Sequence, residues 1–346
     1  MLRRGGVHRR ARRRRSRPRG GLPVRAAGGA GARRTRAAAV GEAGMNGVLN
    51  LFKPAGITSH AAVSAVRRLY GAPKAGHCGT LDPMAAGVLP VMLGSAVKLS
   101  EYLVEHDKRY RASILLGVRT DTQDSTGAVT ARCDGPLPGA EAVRQAAARF
   151  VGRIRQTPPM YSALKRDGKK LVDLARSGIE IERESREVTV DSIDVSERDG
   201  EIFLDVRCGR GTYIRTLCDD IGELLGCHAC MHLLERTAVG RFSASDAYTL
   251  DRLRELDGPA REAALIPAED CLDFPALSLP PFQERLFRSG CEIYAADLPD
   301  FLPEDGALYK VYGAAGFFAV GRAGIFPGKT ESSEPGMAVK MIKFFG

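Results

Sequence analysis

Residues 188 to 225 constrain the fold of this chain more than any other stretch. Two strand-like runs, Val188 to Val195 and Glu201 to Cys208, flank an Arg198-Asp199-Gly200 hairpin turn, and the second alternates with a period of two. The second run places Ile202, Leu204, Val206 and Cys208 on one side. From Thr212 the period changes: Ile214, Leu217, Cys218, Ile221, Leu224 and Leu225 recur as one face of a helix that Gly226 ends. Residues 108 to 118 alternate too, with Tyr110, Ala112, Ile114, Leu116 and Val118 facing one way and Arg109, Arg111 and Ser113 the other. Such runs of strands and then helices, without strict βα alternation, predict an α+β fold with a mixed or antiparallel sheet. Around this frame we expect a strand from Asn46 to Phe52, a helix from an N-cap at Ser59 to about Tyr70, and a glycine-punctuated loop over 75–87. A strand over Val88 to Leu93 and helices near 96–105 and 140–151 should follow, then a polar stretch over 156–186.

Composition sets the boundaries. Residues 1–44 hold 14 Arg and one Glu among Gly, Ala and Pro, a pattern that cannot build a core alone. Three readings stand side by side: an RNA-binding tail, an organellar transit peptide, or a mis-set start upstream of Met45. The net charge of +10 belongs to this segment, because residues 45–346 carry 37 basic against 40 acidic groups. A net-acidic body excludes binding by bulk charge, so any nucleic-acid contact must come from local basic patches. Past Pro275 short strands at Leu308–Tyr312, Phe317–Val320 and Val339–Phe344 alternate with Gly and Pro, so residues 275–346 read as a small β-rich domain behind a larger one over 45–274. The longest uncharged run in this region, Pro83 to Val97, is 15 residues with two prolines, too short to cross a membrane. Eight irregularly spaced cysteines suit a reducing compartment. Cys227 and Cys230 form one CxxC, but no second half supplies four zinc ligands, so no metal site is expected.

The segment Gly76-His77-Cys78-Gly79-Thr80-Leu81-Asp82-Pro83 combines glycines that permit close backbone approach with a stiffened carboxylate. Alone it is an Asp-Pro turn. Together with NLFKPAGITS at 50–59, DKRY at 107–110, RTDTQD at 119–124, PPMYSALKRDGKKL at 158–171 and GTYIRTLCDDIGELLGC at 211–227, it closely resembles the bacterial tRNA pseudouridine-55 synthase (TruB) family. The resemblance covers residues 45 to about 250. It implies isomerisation of one uridine in the T-arm loop of tRNA, with no cofactor or metal, by an aspartate that is here Asp82. The chemistry suits a carboxylate: a glycosidic bond breaks, electron-poor sugar must be stabilised, and Asp82 could attack C1′ or take a proton from C2′.

The same resemblance assigns the remaining site. Tyr110, a core aromatic on pattern alone, would stack on the flipped base and accept the C5 proton. Arg215 falls in the first turn of a helix, where the macrodipole disfavours a cation. It is either a solvated surface residue or paired with an anion, and the resemblance pairs it with Asp82, with Asp124 in the same charge network. Tyr213 and Leu234 would line the uracil pocket, and His77 would fill the space vacated by the flipped nucleotide. Lys53 would support structure or meet phosphate, and Lys165, Lys169 and Lys170 would clamp RNA. The C-terminal part is similar to a PUA-type accessory domain. The implied partner is tRNA, with no membrane, no obligate protein partner and a monomeric, cytoplasmic enzyme. Two alternatives remain at this point: a tRNA-folding chaperone using the same surface, and a guide-dependent ribosomal RNA synthase.

Overall fold

The computed structural model describes residues 45–166, 168–299, 301–327 and 334–346, apart from the side chain of Lys170; the arginine-rich residues 1–44 lie outside it. The alternating segments pair as their patterns require. In chain order the first strands are β1 (Gly47–Lys53), β2 (Ala75–His77), β3 (Ala86–Leu93), β4 (Lys108–Leu116), β5 (Val118–Thr120), β6 (Val129–Arg132) and β7 (Gly152–Gln156). They are followed by β8 (Lys165–Arg166), β9 (Lys169–Lys170), β10 (Arg186–Arg198), β11 (Glu201–Cys208), β12 (Ala229–Val239), β13 (Phe242–Ser243) and β14 (Leu265–Ile266). Ten of these form one sheet in the order β14-β1-β3-β12-β4-β11-β10-β7, with β2 added to β3 and β13 to β12. Only the β3–β12 pair is parallel, so the sheet is mixed and mostly antiparallel, as expected.

The helices are α1 (Ser59–Leu69), α2 (Ser100–Leu103), α3 (Ala140–Ala147), α4 (Leu171–Arg176) and α5 (Ile214–Leu224), followed by shorter ones. Ile214, Leu217, Cys218 and Ile221 of α5 are buried against the sheet in the main core, with Val63 and Val66 of α1 and Val143 of α3. Each such aliphatic side chain contributes about 1.5–3 kcal/mol by leaving water. A second sheet, β15 (Ala276–Ser278), β16 (Ile293–Tyr294), β17 (Leu308–Gly313), β18 (Gly316–Phe326) and β19 (Gly336–Phe344), has the order β15-β17-β18-β19-β16. Its Val320, with Phe345, packs into a cluster with Val48, Val88 and Met92 from the first sheet.

Several local expectations need correction. The cap of α1 is Thr58, whose hydroxyl accepts from the Ala61 N–H; Ser59 turns inward instead, and its Oγ both donates to the Leu81 carbonyl and accepts from the Leu81 N–H. The expected loop over 75–87 opens with a strand, β2, on the edge of β3. The expected 96–105 helix is a 3₁₀ segment, Gly94–Leu99, and a single α-turn. Several strands had no counterpart in the sequence reading, among them edge strand β7 and central strand β12. Where β12 passes β3, Arg236 lies opposite Gly87, whose φ is +115° and whose added Cβ would sit 2.2 Å from the Arg236 carbonyl oxygen. Only glycine fits there.

Candidate active site

The charge centre is built from three elements. The first turn of α5 carries Arg215, the turn before β3 carries Asp82, and the turn between β5 and β6 carries Asp124. The Arg215 Nε lies 2.9 Å from Asp82 Oδ2, and its Nη1 lies 3.6 Å from Asp124 Oδ2. Nη1 also donates to the Thr122 carbonyl at 3.0 Å and Nη2 to the Tyr161 carbonyl at 2.8 Å. With the Arg215 side chain only 4% exposed, two carboxylates and two carbonyls replace its water. Asp82 is different: its side chain is 34% exposed, so one face of the carboxylate is open for chemistry. Burial pushes the Asp82 carboxyl above the ordinary carboxylate range, Arg215 pulls it back, Asp124 adds to the rise and Lys53 opposes it. Arg215 is thus the main force opposing that rise.

Asp82 opens onto a cavity of about 400 Å³ whose walls include Tyr110, Tyr213, Arg215, Leu234 and Arg236. That size falls within the range of small-ligand pockets. A second cavity of about 420 Å³ between Arg119, Asp219 and Tyr161 has none of Asp82, Tyr110 or Arg215 in its walls. Tyr110 is buried on β4, and burial pushes its phenol up while the Arg236 guanidinium facing it pulls in the opposite direction. Tyr213, the residue before α5, is gripped by Gln156 of β7: the Gln156 Nε2 donates to its carbonyl at 3.0 Å, and its N–H donates to Gln156 Oε1 at 2.8 Å. Arg186 stacks over the Tyr213 ring at 5.3 Å.

The structure therefore brings Asp82, Tyr110, Tyr213, Arg215 and Leu234 around one cavity, with Asp124 behind Arg215. It places His77 outside the cavity walls, half-buried on β2, where its Nδ1 is buried without a hydrogen-bond partner and burial lowers its pKa. Lys53 cannot meet phosphate. It is 0% exposed, its Nζ donates to the carbonyls of Pro54 and Ile57 at 2.8 Å each and of Pro83 at 3.4 Å, and burial lowers its pKa to about 8. Its part is to tie β1 to the Asp82 turn. Lys165 and Lys169 are exposed on the two-stranded β8–β9 hairpin, which follows Leu164 of the Asp82 cavity wall but is not itself among the wall residues; the Lys170 side chain lies outside the described residues. Sequence reasoning missed Gln156, Arg186 and Arg236. Gln156, a polar residue ending a short strand, carries no pattern that marks it, and Arg236, between Glu235 and Thr237, reads as one more polar residue of a mixed segment.

Comparison with known proteins places this geometry. Residues 67–214 match the family model of the TruB family pseudouridylate synthase N-terminal domain, and residues 215–273 that of the tRNA pseudouridylate synthase B C-terminal domain. The tRNA pseudouridine synthase B of Azoarcus sp. (strain BH72) is 45% identical over 280 residues, 80% of this chain and 91% of that protein. That of Burkholderia mallei (strain NCTC 10247) is 46% identical over 275 residues, 78% of this chain and 90% of the relative. Among solved structures, Cbf5 in a Cbf5-Nop10-Gar1 complex superposes with a TM-score of 0.64 at 28% identity, covering 87% of this chain and 85% of that one. The archaeal box H/ACA sRNP Nop10-Cbf5 complex gives 0.62 at 26% identity, covering 88% and 87%. An aspartate held by a buried arginine on an aromatic cavity, on a fold shared with these proteins, is therefore no isolated likeness: the chain belongs to the TruB family of pseudouridylate synthases.

Proposed function

We propose that this chain isomerises uridine 55 in the T-arm loop of tRNA to pseudouridine, taking the base out of its stack into the Asp82 cavity. The observation that carries the reading is the 2.9 Å contact between Arg215 and the half-open Asp82 carboxylate on a cavity walled by Tyr110, Tyr213 and Leu234. Asp82 acts at the sugar, attacking C1′ or removing a C2′ proton, as the C1′–N1 bond breaks. The freed uracil turns within the closed cavity and rejoins through C5, with Leu234 and Tyr213 as its walls. Water exclusion matters, because hydrolysis would leave an abasic site. Tyr110 stacks on the base and accepts the C5 proton; N1 gains one, so the overall change is an isomerisation. Arg215 keeps Asp82 ionised and Asp124 fixes Arg215. His77 fills the gap left by the flipped nucleotide, and Lys165, Lys169 and Lys170 meet backbone phosphates.

Three further parts belong to this reading. A domain boundary near Pro275 separates the catalytic residues from the second sheet, which serves as a PUA-like RNA-binding accessory. The enzyme works in the cytoplasm as a monomer without cofactor, metal or protein partner; among the described residues no helix is long and apolar enough to cross a membrane. The Cbf5 likeness favours a second reading, in which a guide RNA presents the target, but the names of the relatives at about 45% identity favour free tRNA. The deciding experiment is tritium release from a tRNA transcript labelled at uridine C5, without guide RNA, by wild type and Asp82→Asn. Release at one T-loop position by wild type and none by the variant is expected. Release by both would assign the chemistry to another carboxylate, and none by wild type despite tRNA binding would leave a chaperone or a guided enzyme.

A further inference from the structure

Arg236 is the largest of the fully buried side chains, at 1% exposure, and the mechanism above gives it no part. It stands directly opposite Tyr110 in the β4–β12 register, and both line the Asp82 cavity. Its Nε donates to the Val88 carbonyl at 2.7 Å and its Nη2 to the Gly79 carbonyl at 3.1 Å. Gly79, at φ +79°, keeps the Asp82 loop close: a Cβ there would lie 3.3 Å from Arg236 Nη1. A guanidinium removed from water that donates to two carbonyls, with no carboxylate paired to it among the described residues, lacks the full charge compensation that buried cations normally have. The titratable groups facing the Tyr110 phenol are Arg236 from β12, Cys208 from β11 and Asp82 from the turn before β3. Those facing Arg236 are Lys53 from β1, His77 and Cys78 at β2, and Lys108 at the start of β4. Arg236 is thus the one cation set across the strand register from the phenol.

We propose that Arg236 is a positioning residue for the last proton transfer: it fixes the Tyr110 phenol over the cavity and stabilises the phenolate that receives the C5 proton. The inference rests on the reading of Tyr110 as that base. The phenol proton first leaves to solvent; the C5–H bond of the rejoined base then breaks toward the phenolate oxygen, its electron pair restores the ring double bond, and N1 takes a proton from solvent. No other reactant is needed. Buried among strands, a phenol gives up its proton only against a cation, and Arg236 supplies one with a geometry fixed by two carbonyl bonds.

The test compares tRNA carrying protium or deuterium at uridine C5, with full-length wild type, Arg236→Met, Arg236→Lys, Tyr110→Phe and the Arg236→Met, Tyr110→Phe double variant. Arg236→Met should slow turnover roughly 10- to 100-fold with KM for tRNA unchanged, raise the C5 isotope effect, and move to higher pH the rise of kcat that follows formation of the phenolate. Arg236→Lys, which retains charge without the fork, should recover part of the rate. On the Tyr110→Phe background Arg236→Met should cost little more, since its effect passes through the phenol. Equal losses on both backgrounds, or an isotope effect and pH profile unchanged in Arg236→Lys and Arg236→Met, would overturn the role of Arg236 alone. Should Arg236→Met not fold, the Arg236→Lys isotope effect and pH profile decide. Wild-type loss of the C5 label in Tyr110→Phe would instead remove the base assignment, and the role of Arg236 with it.

Discussion

Arg215 occupies a position where the backbone works against it, since the first turn of α5 presents its unpaired N–H groups to a cation. Asp82 at 2.9 Å and Asp124 at 3.6 Å more than compensate. The sign of the coupling gives a prediction. Burial already raises the Asp82 pKa, and Arg215 lowers it, so Arg215→Met should move the acid limb of kcat/KM upward by roughly 1–3 pH units, on top of a fall in rate. A pH profile of tritium release measures both, and an acid limb that stays in place would mean that another group holds Asp82 ionised. This pairing was half legible in the sequence: a cation at a helix N-terminus asks for an anion, but only the family resemblance says which one. Lys53 shows the opposite case. For Lys53 the resemblance left structural support and phosphate contact both open, and nothing local reveals that three carbonyls enclose its ammonium.

At the level of elements, legibility followed periodicity. Strands β4 and β11 each have one wetter and one drier face, so their periods survive in the sequence, whereas α5 is buried almost all round and stays legible because its apolar residues Ile214, Leu217, Cys218 and Ile221 keep a helical spacing; Leu224, expected on the same face, is exposed. Strand β12 keeps no such period. Ala229, Cys230 and Met231 are all buried, and register shifts between Met231 and Leu233 and between Arg236 and Ala238 break the alternation twice. Its opening residues therefore read as a CxxC segment, although β12 joins β3 to β4 at the middle of the sheet. Edge strand β7, Gly-Arg-Ile-Arg-Gln, buries too little to carry a pattern. The tightest joint lies between β3 and β12 at Gly87. Gly87→Ala should lower stability by about 1–3 kcal/mol or more, because neither the +115° φ nor the Arg236 carbonyl leaves room for a methyl group. A urea midpoint equal to wild type would show that the two strands can separate without cost.

For the molecule as a whole, charge is segregated rather than spread. Residues 1–44 carry the excess of Arg, while the remainder has 37 basic and 40 acidic groups, so RNA affinity in the described part must come from patches such as the exposed β8–β9 hairpin. Replacing Lys165, Lys169 and Lys170 by alanine should weaken binding to any tRNA and reduce the slope of log affinity against log salt by roughly two to three. An unchanged slope would take these lysines off the phosphate path. The hairpin is nevertheless bound to the chemistry behind it. The segment 156–186 begins with Gln156 fastened to Tyr213, and five residues later the Tyr161 carbonyl is fastened to Arg215. For anyone exchanging this insertion between relatives, the seam therefore falls after Leu164, since Ser162, Ala163 and Leu164 also line the Asp82 cavity: a graft cut there carries the β8–β9 hairpin, whereas one cut before Gln156 takes away half of the socket that seats Tyr213 and Arg215.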